Sequence, residues 1–215
     1  MPSCCRGAPC EEMFNPRQAR RSLNRYRRKG LGDLERQMLQ AAASGGLDGA
    51  RVLEIGGGIG ALQIELLEAG AGQGEVVELA SAYEPYALEL ARERGLGDRV
   101  SFRVEDVLDS PDSVDQADVV VLNRVVCCSP DGIRLAGVAA RLATRTLVFS
   151  FPRDRLLVKA GLALVNGSLR LLGRSFRVFV HAPSSLVAAA EAEGLRPLES
   201  GRGFLWEFVA LQRPA

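Results

Sequence analysis

Short apolar runs alternate with longer segments of helical periodicity along most of this chain. Runs at 51–55, 75–79, 100–104, 118–122 and 145–151 have the length and composition of buried strands. Segments 61–69, 85–94 and 132–142 lie between them and repeat apolar residues at helical spacing. Such alternation predicts an α/β fold with a parallel sheet and right-handed crossovers. Residues 15–44 read as helix, broken near Gly30-Leu31-Gly32 and ended by Gly45-Gly46. After the fifth strand comes a strongly apolar helical stretch, 154–172, then a short extended segment, 176–180. Ser184 or Ser185 is expected to cap a helix that ends at Gly194. Two last strands, near 195–200 and 204–211, flank the expected turn Ser200-Gly201-Arg202-Gly203.

The most telling junction is Val52-Leu53-Glu54-Ile55-Gly56-Gly57-Gly58-Ile59-Gly60. A buried strand ends near a carboxylate and breaks into glycines, and a helix starts at Ala61. Glycines there let the backbone turn tightly and approach a ligand without a Cβ between them. Two cofactors compete for such a loop. Gly56-x-Gly58-x-x-Ala61 fits the dinucleotide fingerprint. Glu54-x-Gly56-x-Gly58-x-Gly60 resembles the longer acidic-x-G-x-G-x-G pattern of class I S-adenosylmethionine (SAM) methyltransferases. SAM carries an ammonium and a sulfonium and no pyrophosphate. An acid two residues before the first glycine attracts an ammonium and repels a pyrophosphate, so SAM is favoured over NAD.

Bulk properties narrow the function classes. The 215 residues suffice for one domain with a real core. A net charge of +1 argues against wholesale nucleic-acid binding. Residues 1–14 lack the apolar stretch of a signal peptide, and the longest apolar candidate, 156–165, is interrupted by Lys159 and Gly161. A cytoplasmic protein with mostly reduced cysteines is expected. Lysine occurs only at 29 and 159, so the arginine richness reads as a compositional bias.

Several residues are candidates for chemistry. Glu78 closes the second strand and can accept hydrogen bonds from both hydroxyls of a ribose. The methyltransferase resemblance assigns Asp106, after the third strand, to the adenine amino group. Glu54, Glu78 and Asp106 then fall at the carboxyl ends of successive strands, the edge where open α/β sheets bind ligands. The fourth strand ends in Asn123-Arg124-Val125-Val126-Cys127-Cys128-Ser129-Pro130, where an acceptor would be presented. Arg124 can bind an acceptor carboxylate in bidentate fashion, or form a surface ion pair. Asn123 can assist or cap a turn. His181, the single histidine, is the candidate acid or base for a hydroxyl acceptor. Cys4, Cys5, Cys10, Cys127 and Cys128 form a speculative thiol cluster, although their spacing matches no standard zinc set.

The order of features also resembles magnesium-protoporphyrin O-methyltransferases. The shared features are Phe14-Asn15 opening an arginine-rich helix, Pro130 beyond the fourth strand, the inserted apolar helix, Phe179-Val180-His181, and Glu193-Gly194-Leu195. The family tends to have His-Tyr-Pro where this chain has Cys128-Ser129-Pro130. The resemblance implies a Rossmann-like seven-stranded class I methyltransferase sheet, mostly parallel with an antiparallel C-terminal hairpin and helices on both faces. It implies a basic helical lid with a cysteine-containing arm over 1–49 and a SAM-binding domain over 50–215. Glu54, Gly56, Gly58, Gly60, Glu78 and Asp106 would hold SAM. The acceptor would be a small hydrophobic molecule, porphyrin-like or otherwise, methylated on a carboxylate or hydroxyl. Helix 154–172 would wall an apolar acceptor pocket or make peripheral contact with a membrane. A thiol or metalloid methyltransferase and a non-catalytic SAM-binding regulator are the alternatives.

Overall fold

The computed structural model describes residues 12–214. Cys4, Cys5 and Cys10 lie outside them. One seven-stranded sheet organises the chain, in the order β3-β2-β1-β4-β5-β7-β6. Its strands are β1 (Arg51–Ile55), β2 (Gln73–Glu78), β3 (Val100–Val104), β4 (Ala117–Leu122), β5 (Ala143–Pro152), β6 (Arg196–Arg202) and β7 (Trp206–Gln212). Neighbours among β1 to β5 run parallel, and β7 pairs antiparallel with both β5 and β6. The helices are α1 (Pro16–Lys29), α2 (Asp33–Ala43), α3 (Ala61–Glu68), α4 (Glu84–Glu93), α5 (Gly132–Leu142), α6 (Leu156–Leu171) and α7 (Pro183–Ala192).

Strand alternation sorts the core into two layers. Val52, Val119, Val121 and Val148 join one buried cluster with Leu23 of α1, Met38 of α2, Leu62 and Leu66 of α3 and Leu90 of α4. Leu53, Val120, Leu122, Leu147 and Phe149 join the other with α5 and α7. Both sheet faces are therefore covered, which is why the central strands β1 and β4 are mostly apolar, with Val119 to Leu122 unbroken. Residues before β1 belong to the same core, since Leu23 and Met38 are fully buried.

Two boundaries differ from expectation. The last turn is Gly203-Phe204-Leu205, because Ser200, Gly201 and Arg202 pair with Val209, Phe208 and Glu207 inside the hairpin. Gly201 sits beneath the Phe208 ring, where an added Cβ would come within 2.3 Å of it. Helix α7 starts at Pro183, one residue after Ala182, with no serine side chain capping it; proline fits the first helical turn because no intrahelical N–H is needed there. Helix α1 follows the usual rules: the Asn15 side chain accepts a hydrogen bond from the Gln18 amide at 3.1 Å, and Gly30 ends it at φ +61°.

Gln63 is fully buried in α3, and neither its side-chain oxygen nor its nitrogen finds a partner among the described residues. Gln63→Met keeps the unbranched shape and removes the desolvated amide. It should stabilise the fold by about 1 kcal/mol, raising Tm by roughly 3 °C in a calorimetric melt.

Candidate active site

The site grows from the end of β1. Gly56, Gly58 and Gly60 all take positive φ (64°, 57° and 69°), a region open to glycine at little cost. Gly56 has a second constraint, since an added Cβ would lie 2.6 Å from a methyl of Val125. The loop delivers the chain into α3, whose first turn offers free amides. Glu54, 3% exposed, uses them: its Oε2 accepts a hydrogen bond from the Gln63 amide at 3.1 Å. Burial nevertheless pushes its carboxyl up to about 8; the Gln63 amide opposes that rise and Glu78 adds slightly to it.

Glu78 leaves the tip of β2 and accepts three backbone hydrogen bonds. Gly58 donates at 2.9 Å, Leu79 at 2.8 Å and Ala80 at 3.1 Å. Desolvation raises its pKa, and the three amides work against that. Asp106 follows β3, and its Oδ1 accepts from the Leu108 amide at 2.9 Å. Glu54, Glu78 and Asp106 line one cavity of about 350 Å³ together with the glycine loop. Tyr83 forms part of the wall, its ring stacked where a Cβ on Gly58 would come within 3.2 Å. Phe14 of the N-terminal segment and Ser22, Arg25 and Tyr26 of α1 close another side.

The β4 exit forms the remaining wall. Ser150, fully buried on β5, donates to Asn123 Oδ1 at 2.9 Å and accepts from the Arg124 amide at 2.8 Å. Arg124 takes φ +61°, the one non-glycine residue with positive φ among those described. Its guanidinium bonds Glu35 of α2 at 2.8 Å and lies 5.3 Å from the centre of the Trp206 ring. Asn123, Arg124 and Glu35 all line the cavity.

The two vicinal cysteines differ in position. Cys128 lines the cavity, whereas Cys127 is buried behind it, with the sulfurs 3.8 Å apart. A hydrogen bond with Cys128, and burial, push the Cys127 thiol far above its ordinary value. Among the described residues no cluster of histidine, cysteine and acids could hold a metal ion. His181 does not line the cavity. Its Nε2 lies 2.9 Å from the Ser129 carbonyl oxygen, its ring stacks on Phe179, and it abuts Gly132, the first residue of α5. No residue of α6 lines the cavity either.

No protein-family model matches the chain, and no curated protein matches it. Solved structures do match. A magnesium protoporphyrin IX methyltransferase from Synechocystis, with S-adenosylhomocysteine bound, superposes with a TM-score of 0.72 at 21% identity, over 95% of this chain and 98% of that one. An O-methyltransferase family 2 protein from Planctomyces limnophilus, in complex with apigenin, gives 0.68 at 16% identity, over 93% of this chain and 62% of that one. The mitomycin 7-O-methyltransferase MmcR gives 0.64 at 24% identity, over 95% and 60%. The chain has the class I methyltransferase fold.

In this fold the sheet brings Glu54, Gly56, Gly58, Glu78, Asp106, Asn123 and Arg124 to one cavity, as their strand-end positions suggest, whereas Gly60 lies off the lining and turns the chain into α3. It keeps His181 outside and holds its ring on the backbone just beyond the β4 exit. Glu35 and Tyr83 escaped the sequence reading. Tyr83 carries a weak signal, an aromatic five residues after the β2 carboxylate. Glu35 carries none, because its partner stands 89 positions away.

Proposed function

We propose that this chain is a SAM-dependent O-methyltransferase acting on a small, hydrophobic acceptor. One observation supports this above all: three carboxylates from successive strand tips surround a positive-φ glycine loop in a single cavity. Glu54 would face the ammonium of SAM, Glu78 the two ribose hydroxyls and Asp106 the adenine amino group. Gly56 and Gly58 would let the backbone lie against the cofactor, and Gly60 would turn the chain into α3. A dinucleotide would place its pyrophosphate beside Glu54, whose carboxyl offers it no positive partner when protonated and repels it once ionised.

Methyl transfer is an in-line displacement. SAM, held by Glu54, Glu78, Asp106 and the glycine loop, would supply an activated methyl group to a lone pair of the acceptor oxygen, its carbon–sulfur bonding pair staying with sulfur. The enzyme mainly aligns the two partners and excludes water. A carboxylate acceptor releases no proton, and Arg124 would hold it by exchanging the Glu35 contact for a bidentate one. A hydroxyl acceptor must give up a proton, and Glu35 then stands nearer to the reacting space than His181. We assign His181 to positioning, through the Ser129 carbonyl, of a segment that lines the cavity. Arg124→Ala should raise KM for a carboxylate acceptor about tenfold with SAM affinity unchanged, measured by steady-state kinetics and titration calorimetry.

Calorimetry with SAM, S-adenosylhomocysteine and NAD tests the cofactor assignment. Heat of binding with the first two and none with NAD is expected; the reverse pattern refutes it. The pH dependence is a sharper check. Free Glu54 holds its proton up to about pH 8, and binding an ammonium expels it. SAM affinity should therefore rise by up to tenfold per unit from about pH 6 to about pH 7.5. Glu54→Gln should flatten that rise. Stability moves the other way: the folded chain keeps a proton that the unfolded chain loses near 4.5, so the Glu54 contribution falls as pH climbs from there to about 8.

A further inference from the structure

The longest helix among the described residues, α6, contributes no buried residue at all. Leu156, Leu157, Leu164 and Leu171 on it, and Leu172 just after it, are 85%, 87%, 75%, 90% and 74% exposed. The helix is nevertheless pinned. Val158, Leu162, Asn166 and Leu169 recur at helical spacing on its less exposed side. The Asn166 side chain donates to the Val178 carbonyl at 2.8 Å and accepts from the Val178 amide at 2.9 Å. One face is thus held against the protein while the leucine face looks outward.

The apolar surface continues at both ends of α6. Arg153, three residues before it, donates to the carbonyls of Leu205 at 3.0 Å and Gly203 at 3.1 Å. That holds the β6–β7 turn next to the start of α6, with Phe204 90% exposed. At the other end Leu169 packs on the core cluster containing Phe176, whose ring lies 5.5 Å from that of Phe14. Phe14 lines the cavity.

Charge identifies the occupant. From residue 155 to residue 190 the chain holds no aspartate or glutamate, but it holds Arg155, Lys159, Arg170, Arg174 and Arg177; Lys159 pairs with Asp154 and Arg174 with Glu12, which leaves the stretch positive. A second copy is a poor fit, because a two-fold contact sets a patch against itself and would oppose Arg155 and Arg170 with further cations. A bilayer of anionic lipid offers acyl chains for leucines and phosphates for the flanking bases at the same depth. We propose that α6 and the β6–β7 turn form a docking surface for an anionic membrane, with α6 lying in the headgroup plane. This surface feeds an apolar route along Leu169 and Phe176 to Phe14 at the cavity wall. The membrane contact stands independently of the methyl-transfer reading.

Co-sedimentation of the full chain with vesicles tests it. Vesicles of phosphatidylcholine mixed with phosphatidylglycerol should bind at least about tenfold better than phosphatidylcholine alone, and salt should weaken the binding. The variant Leu157→Glu/Leu164→Glu/Leu171→Glu should lose at least about tenfold in binding. Arg155→Ser/Lys159→Ser/Arg170→Ser should lose most of the preference for the anionic vesicles. Every substituted side chain is on the outer surface, so both variants should melt like the native chain, and SAM binding should be unaltered. The proposal is overturned if the native chain ignores anionic vesicles or if the leucine variant binds them normally. It is equally overturned if the native chain is a dimer, or holds a protein partner, that the leucine variant releases without any vesicle binding.

Discussion

Replacing Glu78 with alanine should weaken SAM binding by about a hundredfold and leave the fold nearly intact. The proposed contacts are charge-assisted hydrogen bonds to two ribose hydroxyls, each worth about 1.5–3 kcal/mol. Losing both amounts to about 3 kcal/mol, or two decades in Kd. The fold should tolerate the change because Glu78 is itself held against its own desolvation. Two of its three amide donors belong to Gly58 and Leu79, which line the cavity, where water can replace the carboxylate. Titration calorimetry against SAM, paired with a thermal melt, separates the two effects. Glu75 supplies the contrast within the same strand. It pairs with Arg51 and Arg103 at 2.9 Å each and lines no part of the cavity. Glu75→Ala should therefore lower Tm and spare SAM affinity. A Glu78 variant with native affinity would remove the ribose assignment.

Gly56→Ala should be the most damaging single change in the loop. Holding an L-residue at φ +64° costs about 1–2 kcal/mol. The new Cβ would also lie 2.6 and 2.8 Å from the two methyls of Val125, and overpacking of this kind costs a further 1–3 kcal/mol, roughly. Together these predict a Tm about 6–15 °C lower and loss of measurable SAM binding. The second substitution Val125→Ala should recover the overlap part of the loss and leave the backbone part, since alanine at 56 would still need positive φ. A double-mutant cycle in thermal melts reads this as a favourable coupling of about 1–3 kcal/mol. Additive losses would mean that the loop moves away from Val125 instead.

Much of the architecture was legible before any coordinates. Strands β1, β3 and β4 lie at or within one residue of the runs read from the sequence; β4, covered on both faces, is almost wholly apolar, whereas the edge strand β3 shows Ser101 and Arg103 between its apolar residues. The strand-tip carboxylates were legible as a set, since a parallel sheet brings the carboxyl ends of its strands to one edge. The hairpin turn was misplaced by a few residues. Serine and glycine at 200 and 201 look like a turn, but Gly201 is needed where Phe208 packs on it from the paired strand. Serines 184 and 185 looked like helix caps, yet Pro183 already starts the helix.

The acceptor side was less legible because its contacts join distant parts of the chain. Arg124 offered either an acceptor contact or an ion pair; the fold supplies Glu35 from α2 and Trp206 from β7 around it while leaving it on the cavity wall. His181 looked like the obvious acid or base because it stands alone in the composition, but the path between α6 and α7 turns its ring to Ser129.

The sequence by itself determined the glycine loop, the strand that feeds it and the acids at the strand tips. Those features obey local rules: allowed φ, apolar periodicity and the preference of short strands for burial. Tertiary structure alone decided which face of α6 looks outward, where the histidine ring points and what Arg124 holds. Each of those outcomes depends on which remote segments the sheet order sets side by side, and no local pattern encodes that order.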